Sequence, residues 1–281
     1  MTSGHRAPTN LFLSSLPAEE LQRLSPFLKP VLLRRNAVLS KPGDRGGPIT
    51  FPCGGMVSVL AVTGDGNAVE ILTVGKEGYL GTISLLGLGA YPFELTATIG
   101  GPALQIHSQA LRIALKHAPV LSEHLMTYSA ATFAQVAQRV ACTAWHSVEA
   151  RCAFRLLAAQ DCIGSDVLPL TQETIARLVG VRRPGVTMVA RTLQRMGLIT
   201  QARGRITIID RRGLEQVACE CHSMICERYS HLSWYRPRAR EAASASLAAP
   251  VALTPTIGSE VSQPGIIQRI NRAPEGKPDR Q

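Results

Sequence analysis

The sequence has no hydrophobic run of the length that spans a membrane. The nearest candidate, residues 78–93, is interrupted by four glycines and a proline, which favours turns between short strands. The N-terminus also lacks the apolar segment of a secretory signal, because His5 and Arg6 precede a polar stretch. We therefore expect a cytoplasmic protein with no membrane partner.

Motifs that support catalysis are also lacking. No Gly-rich phosphate loop precedes a predicted helix, no nucleophile elbow is present, and no pair of acidic residues has the spacing of a catalytic site. The sequence therefore predicts a protein that is not an enzyme. We expect no cofactor, and the sequence does not identify an effector.

Cysteines are present, but nothing in their number or spacing indicates disulfides. Seven are scattered along the 281 residues, and an odd number in a reducing compartment is most simply interpreted as free thiols. Cys142, Cys152 and Cys162 recur every ten residues, which is not a whole number of helical turns. They therefore share no face and predict no site.

Cys219, His222 and Cys226 do share a face, at positions i, i+3 and i+7 of a helix predicted over residues 214–231. Soft ligands at this spacing could bind zinc or a haem, or sense oxidants. This pattern leaves open a redox- or metal-responsive regulator. The alternative is that small apolar thiols pack this helix against the neighbouring domain.

The first hundred residues contain many short segments separated by Gly and Pro. After a helical lead-in at residues 11–28, the predicted strands are residues 31–40, 49–51, 56–62, 68–74, 96–99 and 103–106. Many short strands at close spacing are typical of an antiparallel β-roll of the cupin-like, jelly-roll kind.

Residues 119–143 change the pattern, because no Gly or Pro interrupts them after Pro119 and apolar residues recur every three or four positions. The stripe consists of Leu121, Leu125, Tyr128/Ser129, Phe133, Val136 and Val140. A long helix leaving a small roll typically packs on a copy of itself, which predicts a homodimer. Packing within the same chain is the alternative.

Residues 170–209 have the pattern of a helix–turn–helix followed by a two-stranded wing. Thr171 is placed to cap the first helix, Gly180 to make the turn and Gly204 to form the tip of the wing. Residues 171–212 contain nine arginines and two acids, a net +7 of the chain's +10. A basic element of this shape is typical of proteins that bind double-stranded DNA. A protein-interaction module that keeps the winged fold is the alternative.

The predicted DNA contacts lie on the second helix, residues 183–196, and on the wing. Its N-terminal half would meet base edges, where Arg183 suits a guanine, Thr187 a thymine methyl or an acceptor, and Met188 an apolar base surface. The arginines farther along are expected to meet phosphates. The full predicted set is Arg182, Arg183, Pro184, Thr187, Met188, Arg191, Arg195, Arg203 and Arg205.

The chain resembles the Crp/Fnr family over about residues 11–230. The helix–turn–helix part of this resemblance depends on LTQE at 170–173, LVG at 178–180 and GLI at 197–199, and the roll part on VGKEGYLG at 74–81 followed by LLG at 85–87. The resemblance implies a homodimeric transcription regulator that binds a two-fold symmetric DNA site, with RNA polymerase as an expected partner.

The resulting prediction is an α+β chain of four parts. They are an antiparallel β-roll with a sensor-like role at residues 1–118, a long dimerisation helix at 119–146, a winged helix–turn–helix at 147–232 and a disordered tail at 233–281. The tail is predicted from its composition, which is rich in Ala, Pro, Ser and Arg with almost no aromatic residues.

The sequence departs from the cyclic-nucleotide binders of this family. By the resemblance, the effector pocket would include Gly78, Gly81 and Thr82, and Thr82 stands where those proteins have a Glu that contacts the ribose. No Lys or Arg occurs between Lys76 and Arg112, and burying an anionic phosphate without a counter-charge is costly. We therefore expect no response to cyclic AMP or cyclic GMP.

Two further family features are missing. No cysteine precedes residue 53, so an oxygen-sensing iron–sulfur centre of the family type is not expected. In the recognition helix, the family's usual Glu and second Arg correspond to Pro184 and Met188. The resemblance therefore does not imply the common family half-site.

Overall fold

The computed structural model of the chain describes residues 9–87 and 89–235. Within these residues, no helix combines the length and the apolar character needed to cross a membrane. The predicted tail lies outside the described residues from position 236 onward.

The N-terminal part is an antiparallel roll, as predicted. Two short helices, α1 (Leu11–Ser14) and α2 (Ala18–Leu24), lead into it. Its strands are β1 (Lys29–Leu33), β2 (Ala37–Ser40), β3 (Pro48–Pro52), β4 (Met56–Val62), β5 (Ala68–Val74), β6 (Glu94–Ile99) and β7 (Gly101–His107), with the short helix α3 (Thr82–Leu86) between β5 and β6. The strands form two sheets, in the orders β1–β7–β3 and β2–β6–β4–β5.

One predicted strand of the roll is in fact two. Residues 31–40 are divided at Asn36, which adopts a left-handed φ of +61° and donates from its backbone nitrogen to the Ala97 carbonyl at 2.7 Å. β1 and β2 consequently belong to different sheets. The prediction of a single strand was wrong because asparagine makes this turn without the glycine that usually signals it.

The long helix α5 (Pro119–Trp145) follows α4 (Ser108–Leu115) and begins where it was predicted. Its first turn is capped from a distance by Glu20, whose two carboxylate oxygens accept from the backbone nitrogens of Val120 at 3.1 Å and Leu121 at 2.8 Å. These bonds satisfy two amides that have no partner within the helix.

The predicted apolar stripe of α5 is divided between two faces. Leu121, Leu125 and Tyr128 are buried within the chain, whereas Phe133 is 76% exposed and Val140 is 65% exposed. The inner face packs against the rest of the same chain, and the outer face is open. The prediction of a single stripe was wrong because positions three and four residues apart shift gradually around the helix axis, and over 27 residues they pass from one face of α5 to the other.

The C-terminal domain is built from short helices around a small sheet. Its elements are α6 (Val148–Ile163), β8 (Val167–Leu168), α7 (Gln172–Val179), α8 (Arg183–Arg195), β9 (Ile199–Ala202), β10 (Arg205–Ile208), α9 (Arg211–Val217) and α10 (Cys221–Tyr229). The helix predicted over residues 214–231 is therefore two helices. The chain leaves the helical conformation at Ala218, where ψ is 150°.

The folded part of the chain extends past the predicted boundary at residue 232. The indole of Trp234 is buried and donates to the Glu77 carbonyl at 2.8 Å. Its ring packs edge-on against Phe12, with centroids 5.3 Å apart. The start of the tail at residue 233 was wrong because Trp234 and Tyr235 complete the core beneath the roll.

Candidate nucleic-acid interface

The first helix of the helix–turn–helix, α7, is set by a cap at one end and a glycine at the other. The Thr171 hydroxyl accepts from the Thr174 backbone nitrogen at 3.1 Å. Gly180 ends the helix with φ of +74°, and a β-carbon at this position would lie 3.0 Å from Val69 in the roll. Glycine is therefore required both for the left-handed turn and for the close approach of the roll.

The second helix, α8, presents one face to the core and another to solvent. Val186, Ala190 and Leu193 are buried, at helical spacing. Pro184 is tolerated at the second position because first-turn amides have no helical partner to lose. The exposed side chains are Arg182, Arg183, Pro184, Met188, Arg191 and Arg195, with Thr187 half-buried.

A row of glutamines supports this face, and it was not predicted. The Thr187 hydroxyl donates to Gln172 Oε1 at 2.7 Å, and Gln172 Nε2 donates to Gln201 Oε1 at 2.7 Å. Gln201 Nε2 in turn donates to Gln194 Oε1 at 3.3 Å. These bonds tie α7, α8 and β9 together and fix Thr187. The sequence carries no signal for them, because the residues are far apart in the chain and amides are common on surfaces.

The wing is larger than predicted, because β8 adds a third strand to the β9–β10 hairpin. Gly204 turns the hairpin with φ of +73° between the exposed residues Arg203 and Arg205. Arg183 and Arg205 line a cleft of about 460 Å³ between the start of α7, the start of α8 and the wing.

The arginines of this surface are free to meet a partner. Within residues 9–87 and 89–235, none of the predicted contact arginines forms a salt bridge. Two other arginines of the nine, Arg177 and Arg211, form ion pairs within the chain instead. Arg177 pairs with Glu94 of the roll at 2.8 Å, and Arg211 pairs with Asp161 at 2.7 Å. Arg177 and Arg211 therefore have a structural role, whereas the predicted contact arginines form an open basic surface.

The residues predicted to line an effector pocket are packed against the rest of the chain. Gly78 touches the Tyr128 side chain of α5 so closely that a β-carbon would overlap its hydroxyl group. Gly81 precedes α3, and Thr82 is its first residue. Arg112 also reaches this helix, because its Nη2 donates to the Ser84 carbonyl at 3.2 Å. Sequence reasoning missed this cation because it approaches from α4.

The predicted ligand set of Cys219, His222 and Cys226 is divided in the structure, so as a single site it was wrong. Cys219 precedes α10, and its sulfur lies 3.5 Å from that of Cys142, a residue for which no site was predicted. His222 Nε2 lies 2.9 Å from Asp161 Oδ2 and 3.8 Å from the Cys226 sulfur. The break at Ala218 causes the division.

His222 and Asp161 form a buried ion pair. Burial alone would lower the pKa of His222, but its hydrogen bonds to Asp161 and Cys226 outweigh burial and raise the pKa to about 9. Asp161 is also bound by Arg211 through its other oxygen. The carboxylate of Asp161 therefore already has two cationic partners, His222 and Arg211.

Comparison with known proteins agrees with this geometry. Residues 150–217 match the Crp-like helix-turn-helix domain family. The chain is 28% identical over 170 residues to the transcriptional regulator SdrP of Thermus thermophilus, covering 58% of this chain and 80% of SdrP.

Solved structures show the same fold. The c-di-GMP-responsive global regulator CLP of Xanthomonas campestris superposes with a TM-score of 0.58 at 17% identity, over 69% of this chain and all of CLP. A CRP/FNR-family transcriptional regulator of Thermus thermophilus superposes with a TM-score of 0.56 at 24% identity, over 68% of this chain and 98% of that one.

The matched family model is a helix–turn–helix domain, and the curated relative is a transcription regulator. The α+β architecture of roll, long helix and helix–turn–helix is the one that the sequence predicted. Residues 150–217 of this chain are a Crp-like helix–turn–helix domain, and the chain as a whole has the fold of the Crp/Fnr-type regulators of known structure.

Proposed function

We propose that the protein binds a specific, two-fold symmetric site in double-stranded DNA as a homodimer, with one α8 helix in each of two successive major grooves. The observation that carries this proposal is the open basic surface of α8 and the wing, whose arginines have no internal ionic partner in the described part of the chain.

The positions of the side chains on α8 support a distinction between residues that contact bases and residues that contact phosphates. Arg182, Arg183 and Pro184 stand at the start of the helix, where a recognition helix meets base edges. The Thr187 hydroxyl has two acceptors within the protein, Gln172 Oε1 at 2.7 Å and the Arg183 carbonyl at 3.1 Å, so its methyl group is the part offered to a base. The 70% exposed Met188 offers a second apolar contact.

Phosphate contacts would come from the remaining cations. Arg191, Arg195, Arg203 and Arg205 are exposed and flank the start of α8 on the helix and on the wing. Guanidinium groups at such places fix the position of a protein on the duplex without reading its sequence. RNA polymerase is the expected protein partner of the DNA-bound dimer. The expected location of this protein is the cytoplasm.

The outer face of α5 provides a surface for the second subunit. Its exposed positions repeat at intervals of four and three residues, as the core positions of a coiled coil do. They are Met126, Ala130, Phe133, Ala137, Val140 and Ala144. Large apolar side chains alternate here with alanines, so two such helices could approach closely while burying Met126, Phe133 and Val140.

We also propose that cyclic AMP and cyclic GMP are not effectors. The support is Thr82, which cannot supply the carboxylate that the family uses toward the ribose. Arg112 is a cation beside α3, but its guanidinium already donates to the Ser84 carbonyl.

The experiment is a selection of genomic fragments by the purified full-length protein at physiological salt, followed by footprinting. We expect a two-fold site to be enriched without added ligand, and its affinity to be unchanged by cyclic AMP. Binding without sequence preference would contradict specific recognition and favour the protein-interaction alternative. A DNA site that is enriched only when cyclic AMP is added would overturn the proposal that cyclic nucleotides are not effectors.

A further inference from the structure

Four metal-ligating side chains from two distant segments meet at one point of the fold. Cys142 and His146 lie one turn apart at the end of α5, Cys219 lies in the connection from α9 to α10, and Cys221 is the first residue of α10. Their sulfur atoms and a ring nitrogen of His146 all lie within 4.8 Å of one another. The three cysteines are buried.

The distances between these atoms are those of ligands around a single ion. The sulfurs of Cys142 and Cys219 are 3.5 Å apart, and the Cys221 sulfur is 3.4 Å from His146 Nδ1. A tetrahedral zinc ion with Zn–S bonds of about 2.3 Å places its sulfur ligands about 3.8 Å apart. A small outward movement of each side chain would therefore admit the ion.

Neighbouring groups already orient the ligands as a metal site requires. His146 Nε2 lies 3.1 Å from Glu220 Oε1, and a neutral ring that donates to this carboxylate has its lone pair on Nδ1, the nitrogen that faces Cys221. A carboxylate behind the distal nitrogen is the usual support of a metal-bound histidine. Gln138 Nε2 donates to the Cys221 sulfur at 3.1 Å, a bond that stabilises a thiolate.

The two closest thiols are already in hydrogen-bond contact, because the sulfur atoms of Cys142 and Cys219 are 3.5 Å apart and either thiol can donate. A thiolate is the form in which cysteine binds a metal.

We propose that Cys142, His146, Cys219 and Cys221 bind one zinc-class divalent cation in a closed, tetrahedral site. Binding would convert three thiols into thiolates and release their protons to solvent, while His146 binds as neutral imidazole. The site then carries a net charge of −1 from three thiolates and one dication. Cys3His is a set of ligands typical of structural zinc sites, which have no open position.

The site spans the joint between α5 and the C-terminal domain. His146 and Ser147 are the residues that separate α5 from α6, so one ligand lies in the joint itself. The ion would bind this joint to the start of α10 on the C-terminal domain. Resting on the proposed function, we infer that the ion fixes the angle of α8 relative to the dimer helix, because a free joint would have to be ordered when DNA binds.

The neighbouring cluster of Asp161, His222 and Cys226 provides a matched control. His222 and Cys226 lie on the same helix α10 as Cys221, and the carboxylate of Asp161, which belongs to α6, is already bound by Arg211 and His222. Removing the Cys226 thiol therefore deletes a cysteine close to the proposed site without deleting a ligand.

The experiment uses full-length protein, stripped with a chelator under reducing conditions and titrated with Co²⁺ and then Zn²⁺. We expect one Co²⁺ per chain with thiolate-to-cobalt absorption, displaced by Zn²⁺. Cys219→Ser should lose the ion and Cys226→Ser should keep it. Glu220→Gln should keep the stoichiometry but weaken Co²⁺ affinity by about tenfold, and this exposed residue leaves the core intact.

Three results would overturn the site: no ion bound by the unmutated protein, equal loss of ion in Cys226→Ser, or a Cys142–Cys219 disulfide as the sole response of these thiols.

The regulatory inference is tested by DNA binding. Chelation should weaken specific DNA binding by about tenfold in the unmutated protein, and should have no effect in Cys219→Ser. Unchanged DNA affinity would overturn the regulatory inference. Absence of any specific DNA site would overturn the proposed function, and the metal stoichiometry would still decide the site.

Discussion

Arg155 Nη1 lies 2.9 Å from Glu70 Oε2, and both side chains are almost completely buried. The same carboxylate oxygen is 3.8 Å from Nη2 of Arg139, which is also buried. Glu70 belongs to β5 of the roll, Arg139 to the long helix α5 and Arg155 to α6 of the C-terminal domain. One carboxylate therefore connects the three parts of the chain.

Removing the charge of Glu70 should destabilise the whole chain. Glu70→Gln would leave two buried guanidinium groups without their counter-charge, and breaking a buried ion pair from one side typically costs about 3–5 kcal/mol. We expect the free energy of unfolding, measured by urea denaturation, to fall by that amount. The control is Glu123→Gln on the exposed side of α5, which should leave the urea midpoint within error of the unmutated protein. Equal midpoints for the two variants would contradict the connecting role of Glu70.

A second ion pair, Arg177 with Glu94, joins α7 to the roll and should give a dependence on pH. Burial raises the pKa of Glu94, but hydrogen bonds from Arg177 and Thr96, together with the charges of Arg177 and Lys41, outweigh burial and lower it. A lowered carboxyl pKa means that the stabilisation is present above the ordinary pKa of about 4.3 and is lost as the pH falls through the folded-state value.

Glu94→Gln should therefore reduce stability by about 0.5–1 kcal/mol at pH 7, since Arg177 is partly exposed. Thermal unfolding of both proteins between pH 7 and pH 3.5 checks this expectation. The difference in Tm should shrink toward the acid end, as the pH approaches the lowered pKa of Glu94 and its carboxylate becomes protonated. A constant difference across the range would mean that the glutamine acts through packing and not through charge.

The outer face of α5 predicts a variant that separates the proposed dimer. Phe133→Lys would place a charge on each helix at the centre of the apolar seam, where the two cations would also face each other. We expect analytical ultracentrifugation to report a monomer at micromolar concentration. Ile113→Lys makes a matched change at a 59% exposed position of α4 and should remain dimeric. If Phe133→Lys is also dimeric, the second subunit binds elsewhere.

The parts of this protein that could be predicted from sequence are those that depend on neighbouring residues. The cap at Thr171 and the turn at Gly180 follow from local rules, and the structure has both of them. The tip of the wing at Gly204 was predicted in the same way.

What could not be predicted depends on which segments the fold brings together. Cys142 and Cys219 are 77 residues apart, and no periodicity in either segment indicates their contact. The set of Cys219, His222 and Cys226 was assembled on one ideal helix, but the chain breaks at Ala218 and divides it. Arg112 was likewise separated from α3 in the sequence and adjacent to it in space.

Reading of bases and contact with phosphates can be separated by two arginine variants. Arg183→Ala should weaken binding to the specific site by about 1–3 kcal/mol and relax the preference at one base position, with a smaller loss on random DNA. Arg203→Ala, at the tip of the wing, should weaken both kinds of binding equally and reduce the log–log salt slope by about 1. Fluorescence anisotropy at several salt concentrations measures both the affinity and the salt slope.

The control is Arg35→Ala, which removes an equal charge from an exposed turn of the roll and should change neither quantity. An equal loss on random and specific DNA for Arg183→Ala would assign this side chain to a phosphate, and base recognition would then depend on Thr187 and Met188.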